Sequence, residues 1–219
     1  MIGMTEKFDI ESVANKILEH LKEKATEIVK GSSLSSPRAV GDAVQEYLAE
    51  TGLPEVLQEY GISVNDEFGR RAMEDMAFKD ASNNYYAVDV KTHNTETQFN
   101  MPNLISVKRL ATFYKNDDRN NFCVLIISYN VTGGKLNYTD CHFKRIESFD
   151  WGCLTLGALG WGQIQIANAN NLSFVEITSR KAWMLSMCDK LATFYDEEIG
   201  KIGERKLWFR NVKQYWEGK

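Results

Sequence analysis

The run DMAFKDASNNYYAVDVK, residues 75–91, decides how the chain is read. MAFKD (76–80) and YYAVDVK (85–91) are short, strand-like segments, and the overlapping DASNN (80–84) is a cluster of turn formers. The pattern predicts a β-hairpin. With the loop centred on Ser82, residues 75 and 89 each stand seven positions from the centre and face each other, with Cβ atoms about 4.5–5.5 Å apart. Both are aspartates. Opposed carboxylates repel unless a cation lies between them, and an all-oxygen ligand set favours magnesium. Lys91, two residues beyond Asp89, points to the same sheet face. Two acids and one ammonium at one spot suit phosphoryl transfer. The metal polarises the phosphate and acidifies a bound water, while the lysine orients that water and offsets growing negative charge. Asp-x-Lys also occurs on solvated strand faces as a simple cross-strand ion pair.

Outward from the hairpin, residues 9–30 read as a helix with Asp9 as N-cap and Ile10, Val13, Ile17, Leu21 and Ile28 at helical spacing. A second amphipathic helix carries Val40, Val44, Tyr47 and Leu48 and ends near Gly52. Downstream, MPNLISVKRLATFYK reads as a helix entered through Pro102, with Leu104, Val107, Ala111 and Tyr114 on one face. FCVLIISY (122–129) is almost wholly apolar, as a strand buried on both faces should be. NVTGGK turns the chain, KLNYTDCHF returns as a strand, and QIQIAN and SFVEIT are shorter strand candidates. From Ser179 onward the pattern is helical. The expected fold class is α/β (α+β), one domain over 1–219 with a helical N-terminal part (9–52), a β core carrying the acid pair (75–178) and a helical tail (179–219).

Composition agrees with a globular chain: 219 residues, 43% hydrophobic and 26% charged, which excludes disorder as the main state. No apolar run approaches the roughly 20 residues of a membrane span, so no membrane partner is expected. The start, MIGMTEKFD, lacks the order of a signal peptide, which points to a cytoplasmic protein. None of Cys123, Cys141, Cys153 and Cys188 forms a CxxC pair, so buried free thiols are expected rather than zinc or disulfides. His20, His93 and His142 show no ligand spacing, and His93 is expected to be half-exposed on its strand. The net charge of −4 argues mildly against nucleic acid, but residues 201–219 hold Lys201, Arg205, Lys206, Arg210, Lys213 and Lys219 against Glu204 and Glu217. That basic end can supply phosphate affinity, or be no more than a solvated face.

An acid at the start of one strand followed by Asp-x-Lys on the next resembles the PD-(D/E)xK nuclease signature, although Glu74 stands where the signature has proline. VDVKTHNTETQFNMPNLISVKRLA (88–111) is similar to the active-site strand and following segment of HincII-like type II restriction endonucleases in its DVKT core, Asn94, the Pro102–Asn103 pair and the IS and LA positions. SSLSSPRAVGDAVQEYL and GALGWGQIQIAN resemble an early helix and a late Trp-then-Gln-x-Gln strand of that family. The resemblance implies a restriction-endonuclease-like mixed sheet flanked by terminal helices. It also implies Mg2+-dependent cleavage of double-stranded DNA at a short site by a homodimer. Asp75 and Asp89 would be metal ligands, Lys91 the catalytic lysine, and Glu46 an early-helix carboxylate near the metal, with Gln45 competing for that position and an exposed helix charge as the plain alternative.

Beside such a centre, the amide-rich run Asn94, Gln98, Asn100 and Asn103 would read bases or line the groove, and Lys108 and Arg109 would contact the backbone. Gln163 and Gln165 offer further amides behind Trp161, unless they simply alternate outward from Ile164 and Ile166. Two other functions fit the same chemistry-bearing residues: a repair or structure-specific nuclease, and a non-catalytic DNA-binding or assembly module.

Overall fold

The computed structural model describes residues 8–29, 34, 36–65, 75–97, 102–177 and 179–219. Helix α1 (Ile10–Ile28) starts where Asp9 accepts a hydrogen bond from the Ser12 amide, and it buries Val13, Ala14, Ile17 and Leu21. Helix α2 (Pro37–Tyr47) is capped by Ser36. It does not end near Gly52. A π-helical turn, Leu48–Gly52, carries it into α3 (Leu53–Gln58), because Pro54 falls in the first turn of α3, where its missing N–H costs nothing.

Strands β1 (Val64–Asn65), β2 (Met76–Lys79), β3 (Tyr85–Asn94), β5 (Asn120–Thr132) and β6 (Lys135–Arg145) form a five-stranded sheet in the order β1-β2-β3-β5-β6. The pairing of β3 with β5 is parallel, and the other neighbours are antiparallel. The hairpin register is the expected one, with Met76 opposite Val88 and Lys79 opposite Tyr85. Its turn is organised by Asp80, whose carboxylate accepts from the Ser82 and Asn84 amides, the Asn84 side chain and the Tyr86 hydroxyl. At the β5–β6 turn, Gly133 and Gly134 both take positive φ, +60° and +71°, which the tight hairpin needs and other residues resist.

Helices flank this sheet. Val88 and Val90 point into one apolar core with α1, α2 and α3, while Ala87, Phe122, Val124 and Ile126 point into a second core on the other face. The second core holds a three-stranded antiparallel sheet, β4-β8-β7: β4 (Asn103–Ser106), β7 (Leu154–Gly157) and β8 (Gln163–Ile166). It also takes in α4 (Val107–Asn116) and the first turns of α5 (Arg180–Glu217). The chain is thus mixed α/β.

The segment after Pro102 opens as a strand, and the helix begins only at Val107, because Ile105 and Ser106 pair with β8 about sixty residues downstream. The SFVEIT segment is no ladder strand: Phe174 alone bridges to Phe149, and Thr178 lies outside the described residues. Of the four cysteines, all free, Cys188 is exposed. Among the described residues no helix is long and apolar enough to cross a membrane.

Candidate functional site

The site is built on the hairpin and its parallel neighbour. The ladder continues one residue past β2, where the Asp75 amide donates to the Val88 carbonyl at 2.9 Å, so Asp75 stands opposite Asp89. Asp75 Oδ2 accepts from the Val90 amide at 2.7 Å. Asp89 is only 7% exposed. Lys91 Nζ donates to Asp89 Oδ1 at 2.6 Å, while Asp89 Oδ2 is buried without a partner. Burial pushes the Asp89 carboxyl up to about 7. Lys91 offsets this only in part, and the nearby Asp75 charge adds to it. One ammonium does not neutralise two acids.

Asp75 and Asp89 are the side chains that could hold a metal. Among the described residues no group of three or more His, Cys, Asp or Glu is arranged to hold a metal ion. Two carboxylates are enough for magnesium, which keeps several of its waters and binds protein through one or two acids. The unpartnered Asp89 oxygen and its raised pKa fit that need.

In the metal-free protein this acid makes stability fall with pH. As pH rises from about 4 to about 7, unfolded Asp89 ionises at its ordinary value while the folded carboxyl keeps its proton. Unfolding is therefore favoured progressively across that window and levels off above it. Urea titrations at stepped pH should show this decline, and Asp89→Asn should flatten it; an unchanged slope in the variant would exclude Asp89 as its source.

Glu46 stands apart from this group. Helix α2 packs on the sheet face opposite Asp89 and Lys91, so close at Gly41 that a Cβ there would lie 2.8 Å from Thr92 Oγ1. Glu46 is exposed, whereas Gln45, one turn after Gly41, is partly covered. Helical periodicity showed which residues are apolar, but nothing in it said which strand α2 would cross.

His93 follows Asp89 and Lys91 on the same strand face. It is 2% exposed, not half-exposed, and its Nε2 lies 2.7 Å from Asn170 Oδ1. Asn170 also donates to the Thr97 carbonyl at 3.0 Å, tying the loop after β8 to the end of β3. Sequence reasoning passed over Asn170, because a lone asparagine in a turn-rich stretch carries no signal.

The candidate base readers divide. Asn103 and Gln165 are opposed across β4 and β8, and the Gln165 amide donates to Asn103 Oδ1 at 2.5 Å. Gln163 pairs with Ser106 beside them, and Ile164 and Ile166 point inward. These amides lie on the side of the main sheet that carries Asp89 and Lys91. Asn94 instead closes a turn by accepting from the Glu96 amide at 3.0 Å. Gln98 and Asn100 lie outside the described residues. Lys108 and Arg109 are exposed in the first turn of α4, with Lys108 Nζ 4.4 Å from the ring centre of Trp161, itself 62% exposed.

No protein-family model matches the chain, and a search of curated proteins returns no match either.

Proposed function

We propose that this chain is a magnesium-dependent endonuclease that hydrolyses phosphodiester bonds of double-stranded DNA at a short specific site, as a homodimer of the type II restriction kind. The observation that carries this reading is the juxtaposition of Asp75, Asp89 and Lys91, with one buried Asp89 oxygen unpartnered and the ammonium 2.6 Å from the other. The likeness of residues 88–111 to HincII-like enzymes points the same way.

When bound, magnesium would polarise the phosphate and acidify a water. Asp75 and Asp89 would hold it. The Val90 amide fixes the Asp75 carboxylate, and the β3–β5 ladder fixes the Asp89 backbone. Lys91 presents donors beside the acids, suited to orienting an attacking water and offsetting charge on the departing oxygen. A palindromic site offers two equivalent bonds, which two copies related by a two-fold axis would cut, one per strand.

Incubating the protein with plasmid and phage DNA in magnesium tests the reading. Discrete fragments are expected. A smear, or cutting confined to branched or damaged duplexes, would make it a repair or structure-specific nuclease. Binding without cutting would make it a non-catalytic DNA-binding or assembly module.

Specificity has its own test. An asparagine amide can pair with adenine, so Asn103→Ala should lose roughly 1–3 kcal/mol of discrimination between the true site and a scrambled duplex. Lys108→Ala should weaken both duplexes alike and lower the salt slope by about 1. Competition binding across a salt series separates the two; equal loss on both duplexes from Asn103→Ala would make the Asn103–Gln165 pair a backbone contact.

A further inference from the structure

A cavity of about 700 Å³ opens where the start of β3, the end of β6, helix α4 and the first turns of α5 meet. None of Asp75, Asp89 and Lys91 lines it. One ion pair in its wall is already complete. Arg180 donates to Glu147, and its other donors go to Asn121 and the Asp118 carbonyl, so this guanidinium is committed to the protein.

Three other cations of the wall are not committed. Among the described residues, Lys115, Arg145 and Lys181 form no ion pair and donate no side-chain hydrogen bond. Both lysines are exposed, but Arg145 is half-buried at the end of β6. A guanidinium partly withdrawn from water holds out a planar fork of donors, and that fork matches an oxyanion. With Glu147 balanced by Arg180, the one acid left in the wall is the exposed Asp118, so the cavity keeps a surplus of two positive charges. A cleft walled in this way focuses its field on an anion. A phosphate monoester carries about two negative charges at neutral pH and three acceptor oxygens, enough to engage separate donors at once. The volume is that of a small-molecule site and exceeds what a phosphate alone would fill. Ala111, Ile177 and Met184 supply an apolar wall for an attached organic group.

We propose that this cavity binds a phosphate monoester of a small organic group through Arg145, Lys115 and Lys181. The site stands independently of the nuclease reading, and binding is measured in EDTA so that no metal recruits the hairpin acids. Calorimetric titration of the full chain with adenosine monophosphate should show one saturable site per chain, for which inorganic phosphate competes. Arg145→Gln should weaken it at least about tenfold, and so should Lys115→Ala with Lys181→Ala, the scale of losing a hydrogen bond to a charged group. Because both lysines are exposed, circular dichroism should show the fold of that double variant kept. Arg210→Ala with Lys213→Ala takes the same charge from the far end of α5 and should leave binding unchanged. Absence of saturable binding, indifference to the cavity variants, or an equal loss from the α5 control would overturn the assignment. So would adenosine binding as tightly as its monophosphate, or displacement of the nucleotide by a duplex without terminal phosphates, which would make the site a clamp for backbone diesters. Competition by a 5′-phosphorylated duplex but not by its 5′-hydroxyl twin would support the site and name a DNA end as the source of the monoester. Binding of the free nucleotide with neither duplex competing would support it with a soluble phosphate ester as the source.

Discussion

If the chain is the proposed nuclease, Lys91→Ala and Asp89→Ala should each fold normally and cut DNA at no more than about a hundredth of the parent rate, the scale of losing one preorganised electrostatic group. The two fail for different reasons. Removing Lys91 takes away the donor 2.6 Å from Asp89 and leaves a desolvated carboxyl with only Asp75 for company, so its ionisation becomes harder still. Removing Asp89 takes away the ammonium's carboxylate acceptor and would leave a bound magnesium with one carboxylate. Magnesium titration tells them apart: excess metal should recover part of the activity of Asp89→Ala and little of Lys91→Ala. Either variant cutting at the parent rate would falsify the active-site assignment.

Arg180→Ala should cost roughly 3–5 kcal/mol of folding stability, the range for breaking a buried ion pair from one side. The Glu147 side chain is 1% exposed, and Arg180 Nε donates to its Oε1 at 2.7 Å. The same guanidinium donates to Asn121 Oδ1 at 2.9 Å and to the Asp118 carbonyl at 2.8 Å, and lies 4.3 Å from the Tyr114 ring centre. It is thus the joint between the first turn of α5, the turn before β5 and the end of α4. Glu147 Oε2 has no partner, so losing the arginine leaves a buried carboxylate without its hydrogen-bond donor. Urea midpoints measure the loss. The double variant Arg180→Met with Glu147→Leu should recover most of it, because replacing both charges removes the desolvation along with the attraction. A double variant as unstable as Arg180→Ala would show that the cost lies in packing against Tyr114.

What could be read from the residues was local. The turn formers at 80–84 set the hairpin register and hence the facing of Asp75 and Asp89, and Asp9 caps the helix it precedes. The misjudged parts depend on distant partners. Leu104 and Ile105 fit a helical or an extended pattern equally, and β8 decided between them. The burial of His93 needs Asn170, and the placing of α2 on the far face needs the close approach of Gly41 to Thr92. Neither is written in a short window of sequence.

The parallel seam between β3 and β5 also orders events in time. The β2–β3 and β5–β6 hairpins each close over a few residues, which takes microseconds. The seam joins Tyr85 to Asn120, thirty-five positions along, and must await a longer loop closure before its contacts reward it. Val124 stands beside Asp89 across that seam, so its closing covers the acid on that side. The cost of the acid falls on the late step of assembly. Asp89→Asn should accordingly speed the final closing of the sheet and leave hairpin formation untouched.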